Sequence, residues 1–300
     1  MQRQIIVMFC SLFLFAFGPA LAADQDAAPN RGALFKVQQN GRTLYLFGTI
    51  HVGAKDFYPL EPRLAGLLKQ APVLALEIDP LADPQKLARA VQQHGLSKLG
   101  ASGLTPAWRQ RLERLLKQYN IEPQAVAPMK PWLLATVLTV SEFAAQGYDA
   151  SLAVDAHLSK QAHAAGKKVV ELESAEAQMA LFDQKMTPAE QLLFLQEAIA
   201  GIEDKEQADQ ARQIAQAWGS ADAQALEALA LKAEQDQTFS GRFVQKVLLH
   251  GRNPALADGM LKLMARENNS VAAIGVLHLV GKDSVPELLR NHGLTVERIY

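Results

Sequence analysis

Three hundred residues with 49% hydrophobic content are enough for one large buried core or two small ones. A formal net charge of −1 excludes a global basic field for nucleic acid and leaves no acidic tail. The single cysteine, Cys10, lies in the N-terminal apolar run, so without that run the chain has no thiol nucleophile, disulfide or thiolate ligand.

The run itself reads as a secretory signal. Arg3 gives a short positive start, Ile5 to Phe17 is apolar apart from Ser11, Gly18-Pro19 breaks it, and Ala20-Leu-Ala22 offers a cleavage site. It falls short of the roughly 20 residues of a membrane helix, and no Arg-Arg pair marks the twin-arginine route. Residues 1–22 are therefore expected to be a cleaved signal peptide, which predicts a periplasmic or secreted chain with no membrane span after cleavage. Losing Arg3 and no acid takes the net charge to −2. Residues 23–32 are expected to form a flexible polar leader.

Residues 33–37 and 43–47 flank Asn40-Gly41, a hairpin signal. A short helix follows Pro62, and then the strand Val73-Leu-Ala-Leu76, with Glu77 and Asp79 at its end. From about 84 to 267 the chain reads as mainly helical. Helices are expected over 84–94, 105–119, 131–146 and 151–165. Lys168 to Glu173 reads as a strand that ends in acids. Thr187-Pro-Ala-Glu190 is a capping box that opens a helix to about Ile199. Helices over 207–218, 222–235, 239–249 and 254–267 complete the block. A strand over 271–275, a helix over 285–291 and a last strand over 295–300 close the chain. The expected fold is mixed α/β: one domain over 33–300, with a sheet built from both chain ends and the centre, and a long helical insertion.

Two strands end alike, in Gly48-Thr-Ile-His51 and in Gly275-Val-Leu-His278, each with another glycine within three residues of the histidine. Glycine in such a run marks close approach to the backbone, and strand ends are where open α/β sheets bind ligands. A lone imidazole there serves equally well as a hydrogen-bonded structural group. The repetition argues that His51 and His278 share one site. Glu77 joins them as the strongest acid; Glu173, Asp79, Asp149 and Arg252-Asn253 are weaker candidates. Two neutral imidazoles and a carboxylate suit a divalent metal with an open position for water, and a non-ligating glutamate suits a general base. Arg252 would clamp a carboxylate or stabilise developing charge. Asn253, ahead of Pro254, reads as a helix N-cap, and Asp149 as the cap of the 151–165 helix. His94, His250 and His292 precede glycines at helix ends and read as charge complements there. His157 and His163, six apart, do not share a helix face. There is no His-Glu-x-x-His helix, Gly-x-Ser-x-Gly elbow, P-loop or dinucleotide fingerprint.

These segments together resemble the TraB/GumN family, which includes the animal TIKI proteins. The resemblance rests on Leu46-Phe-Gly-Thr-Ile-His51, Leu74-Ala-Leu-Glu77, Gly147-Tyr-Asp149, Leu172-Glu173, Arg252-Asn253 and Gly275-Val-Leu-His278-Leu-Val-Gly281. It implies a fold similar to erythromycin esterase-like and ChaN-like proteins. It also implies a metal-dependent protease using His51, His278 and Glu77, with manganese or cobalt, or else zinc, as the divalent ion. Haem binding by the ChaN-like group supplies the alternative, a non-catalytic haem- or metal-binding protein using the same histidine pair. The expectation is thus an exported metal-dependent hydrolase of peptides. His51, His278 and Glu77 would be its metal ligands, and Glu77, Arg252 and Glu173 its catalytic groups. No nucleic-acid partner is expected, and substrate and oligomeric state stay open.

Overall fold

In the computed structural model, which describes residues 28–300, Asn40 and Gly41 turn the chain with φ of 50° and 73°. Positive φ at both positions matches the twist of a two-residue hairpin. Strands β1 (Leu34–Gln39) and β2 (Arg42–Thr49) accordingly pair antiparallel, Leu34 opposite Phe47. Helix α1 (Pro62–Gln70) starts where the Glu61 carboxylate accepts the amides of Arg63 and Leu64. Strand β3 (Val73–Leu76) is buried throughout.

The helical block then runs through α2 (Pro84–Ala90), α3 (Pro106–Gln118), α4 (Pro123–Val126), α5 (Pro131–Ala145) and α6 (Val154–Ala164). Strand β4 (Lys168–Glu171) interrupts it. It resumes with α7 (Ala175–Gln184), α8 (Pro188–Glu203), α9 (Glu206–Gly219), α10 (Ala223–Glu234), α11 (Phe239–Phe243) and α12 (Asn253–Arg266). Strand β5 (Ser270–Gly275), helix α13 (Val285–Asn291) and strand β6 (Thr295–Arg298) finish the chain.

The six strands form one mixed sheet in the order β4-β3-β5-β2-β1-β6. β5, made almost last, lies between β2 and β3 and is parallel to both; β4 is parallel to β3, and β6 is antiparallel to β1. The central strands are apolar because both of their faces are covered. Leu44, Leu46, Phe47, Leu74, Leu76, Val271 and Ala272 are all buried in the main core. The helical block has two cores of its own. One is aromatic, around Trp132, Phe182 and Phe243, and the other is aliphatic, around Leu115, Leu138 and Ile199.

The fold is the mixed α/β architecture expected, with four local departures. Helix α7 occupies a stretch between the expected strand over 168–173 and the expected helix from Thr187, where the sequence gives no expected element, although Ala175, Met179 and Phe182 form a buried stripe along it. The helices expected over 84–94 and 239–249 both change to π-helical turns, at Val91–Gly95 and Val244–His250. Strand β4 stops at Glu171. Asn253 does not cap α12 with its side chain: the cap position is Arg252, and the Asn253 amide is drawn toward the second Gly-x-x-His turn instead. Among the described residues, no helix is long and apolar enough to cross a membrane. The expected signal peptide lies outside the described residues.

Candidate functional site

The parallel register decides which strand ends meet. Thr49 lies beside Gly275, and Leu76 beside Ala273. His51 follows the end of β2, Glu77 the end of β3, and His278 the end of β5. All three therefore leave the same, carboxyl-terminal edge of the sheet, where open α/β folds place ligands.

Gly275 is the point around which they gather. A Cβ added there would lie 3.3 Å from Glu77 Oε1, 3.4 Å from His51 Nε2 and 3.7 Å from His278 Cδ2. Any side chain would fill the space the three groups face. Gly48 serves the same packing from the other side, since its Cβ would come 2.9 Å from Val276 in the second turn.

Each imidazole is held at Nδ1. His51 Nδ1 lies 3.2 Å from Asp155 Oδ1, with both side chains largely buried. Asp155 comes from the first turn of α6 and is brought in by a strap. Gly53 and Asp149 exchange both backbone hydrogen bonds, at 2.8 and 2.7 Å, and the Val154 amide donates to the Ile50 carbonyl. A Cβ on Gly53 would stand 1.9 Å from the Leu152 carbonyl oxygen, so only glycine lets the strap close. His278 Nδ1 lies 2.5 Å from Asn253 Oδ1, while Asn253 Nδ2 donates to the Asp283 carbonyl at 2.7 Å. The amide orientation makes His278 Nδ1 the donor, which leaves Nε2 as the lone-pair nitrogen. Among the described residues, that Nε2 is buried without a hydrogen-bond partner, 4.0 Å from Glu77 Oε1.

The two rings differ electrostatically. Burial, aided by the nearby Arg252 charge, pushes His278 down to about 3, so the ring is neutral. Burial works in the same direction at His51, but the charge and hydrogen bond of Asp155, with the charge of Glu77, outweigh it and raise the pKa. Burial opposes ionisation of Glu77 as well. Arg252, the two imidazoles and the Gly275 amide overcome it and hold the carboxyl well below the usual carboxylate range.

Arg252 is buried and bridges two carboxylates. It pairs with Glu77, donates from Nε to both Glu173 oxygens at 3.0 Å, and donates from Nη1 to the Leu248 carbonyl. Gln178, from α7, spans the same two acids, 2.8 Å from Glu173 and 3.2 Å from Glu77. Glu77 Oε1 accepts the Gly275 amide at 2.6 Å. Arg252 and Glu173 thus stand behind Glu77 and fix its position.

The other candidates fall elsewhere. Asp79 accepts from Ser159 at 2.5 Å and faces His163 Nε2 at 2.7 Å, which ties β3 to α6. Asp149 caps the short turn Ala150–Leu152 through the Ser151 amide and not the expected 151–165 helix, because α6 starts only at Val154 with Ala153 at its cap position. His292 meets the Leu288 carbonyl at its helix end, as expected, whereas His94 is buried against Asp183. Sequence reasoning missed Asp155 and Gln178. Asp155 had a signal: it stands on the apolar stripe of α6 with Leu158, Ser159 and Ala162, where an acid needs a partner. Gln178 had none.

In kind, the donors suit a divalent metal: two imidazoles with outer partners at Nδ1, of which His278 is neutral, and one ionised carboxylate. In position, among the described residues, no three or more His, Cys, Asp or Glu side chains are drawn together as a metal cage. Glu77 is turned toward Arg252 and Gly275 instead.

His51 lines a small recess of mixed character with Thr49, Glu77, Ile78, Asp155, Gln178 and Ala273. It also lines a cleft of about 40 Å³, open to solvent, walled by Val52, Phe143, Ile214, Val276 and Leu277.

The chain is similar to the uncharacterized protein YbaP of Escherichia coli K12. It is 29% identical over 253 residues, which cover 83% of this chain and 88% of that protein. The YbaP of Shigella flexneri matches to the same extent. No solved structure is significantly similar. The model of the TraB/PrgY/gumN family matches residues 33–298, which takes in both Gly-x-x-His turns, Glu77, Asp155 and Arg252, and the chain belongs to that family.

Proposed function

We propose that the chain is an exported, metal-dependent hydrolase that cleaves peptides. The observation that carries this reading is the gathering of His51 Nε2, Glu77 Oε1 and the His278 ring around Gly275, with both Nδ1 atoms held from behind. His51, His278 and Glu77 would hold the divalent ion. Such an ion, when bound, polarises a carbonyl and makes water acidic enough to be deprotonated near neutral pH.

The chain's own residues do the rest. Asn253 leaves the neutral His278 with its Nε2 lone pair facing inward, and Asp155 orients His51, whose Nε2 would give up its proton to a bound metal. Arg252 keeps Glu77 anionic, and Gln178 with the Gly275 amide fixes its orientation. A carboxylate held so far below neutral pH is a poor proton acceptor, which favours Glu77 as ligand over Glu77 as base. The bare backbone of Gly275 leaves room for a carbonyl to approach.

The test is melting temperature against added manganese, cobalt and zinc, for wild type, His51→Ala and His278→Ala, followed by peptide-library hydrolysis. A ligand that binds only the folded state raises its stability. The reading expects a metal-dependent rise that either substitution removes, and peptide cleavage that follows the metal. Melting insensitive to all three metals, beside a Soret band on adding haem, would replace it with the haem-binding alternative.

A further inference from the structure

The cleft beside His51 has a composition that the proposed hydrolysis does not by itself require. Its walls come from four separate parts of the chain. The β2 end gives Thr49, Ile50, His51 and Val52; the second Gly-x-x-His turn gives Gly275 to His278; and Phe143 of α5 with Ile214 of α9 form the far side. Apart from the two imidazoles, no ionisable side chain lines it. Val52, Phe143 and Val276 are buried in the main core, so that wall is fixed. Ile214 and Leu277 are half-buried and form its accessible surface.

The cleft is continuous with the reacting edge, because His51, Gly275 and His278 line both. If the carbonyl of a bound chain reaches Gly275, a neighbouring side chain would meet the apolar residues of this cleft. A charged side chain there would leave water with no partner to receive it. An apolar one would exchange water for apolar contact. The other recess that His51 lines is smaller and carries the acids Glu77 and Asp155 with Thr49 and Gln178 beside Ile78 and Ala273, so charge is gathered there and not in the cleft.

We infer that this cleft is the specificity pocket of the site, that it takes a large apolar side chain next to the bond attacked, and that Ile214 and Phe143 set the preference. This rests on the hydrolase reading for the reaction. It makes a binding claim that can be measured without the reaction.

The probes are the N-acetyl amides of leucine, phenylalanine, glycine, aspartate and lysine, titrated into the mature protein by calorimetry, beside a peptide library varied at each position. The expected result is binding of the leucine and phenylalanine amides at least about tenfold tighter than the other three, in line with what small apolar differences contribute in a pocket. Ile214→Asp should abolish that binding. Ile214→Gln, milder on a half-buried helical site, should weaken it while melting close to wild type. Apolar binding without metal-dependent cleavage would keep the pocket and remove the hydrolase reading. Cleavage with a charged preference, or with none, would keep the hydrolase and overturn the pocket. Equal binding of all five amides, or of none, also overturns it, as does apolar binding that both Ile214 variants leave unchanged.

Discussion

Asp155 decides the state of the His51 ring. Its carboxylate stands 3.2 Å from Nδ1 and raises the ring's pKa against the effect of burial. Asp155→Asn keeps the shape and removes the charge, so the His51 titration midpoint should fall, as NMR of the ring protons would read directly. Outer partners of this kind typically contribute 10–100-fold in metal affinity, so metal binding by the variant should weaken by about that factor in a calorimetric titration. A second residue, His157, stacks on Tyr58 at 4.1 Å between ring centroids. Burial, with the Lys160 charge, lowers its pKa from 6.5 to about 4. The unfolded chain therefore binds the extra proton first, and stability falls as pH drops from about 6.5 toward 4. Replacing His157 with Gln should flatten that part of a stability–pH curve from denaturant melts; an unchanged curve would mean another group governs it.

At the scale of elements, the strap between His51 and α6 depends on one glycine without an unusual backbone angle. Gly41 has φ of 73° and open space around it, whereas a Cβ on Gly53 would meet a carbonyl oxygen at 1.9 Å. Gly41→Ala should therefore cost about 1–2 kcal/mol, the ordinary penalty of a left-handed residue. Gly53→Ala must move the strap and with it Asp155. It should destabilise by more than Gly41→Ala and also lower the His51 pKa; equal losses in urea melts would show that the strap yields easily. The π-helical turns Val244–His250 belong to this scale too. They run directly into Arg252, whose Nη1 donates back to Leu248. A π-turn bonds residue i to i+5 and occurs as a short bulge inside a helix, so the helical pattern read over 239–249 does not announce it.

Across the whole molecule, Arg252 joins the end of the helical block to two strands. It is the countercharge for both Glu77 and Glu173, all three being largely buried. Arg252→Met would leave two adjacent carboxylates without it, a change that costs about 3–5 kcal/mol when one partner of a buried pair is removed. The pH dependence has a definite sign. Glu77 has a folded pKa below its ordinary 4.5, so its contribution is present above about pH 4.5 and is lost as pH falls below it. In Arg252→Met the Glu77 pKa rises, and the variant should approach wild type in stability as the acids are protonated. A gap that stays constant down to acid pH would mean that Arg252 acts through packing alone.

The sequence by itself determined the hairpin, the capped helices, the mixed α/β class and the three groups of the site. Each is written locally, in Asn40-Gly41, in Thr187-Pro-Ala-Glu190, and in apolar runs ending in Gly-x-x-His or Glu. Local chemistry such as a turn angle, a cap or a strand period depends on a few neighbouring residues and can be read from them. What only the tertiary structure decided is which residues stand behind those groups. Asp155, Gln178 and Asn253 reach the site through the register of β5 between β2 and β3, the strap closed on Gly53, and the docking of α7. Those contacts join residues far apart in the chain, and they are set by how helices cover the sheet edge, which no local pattern encodes.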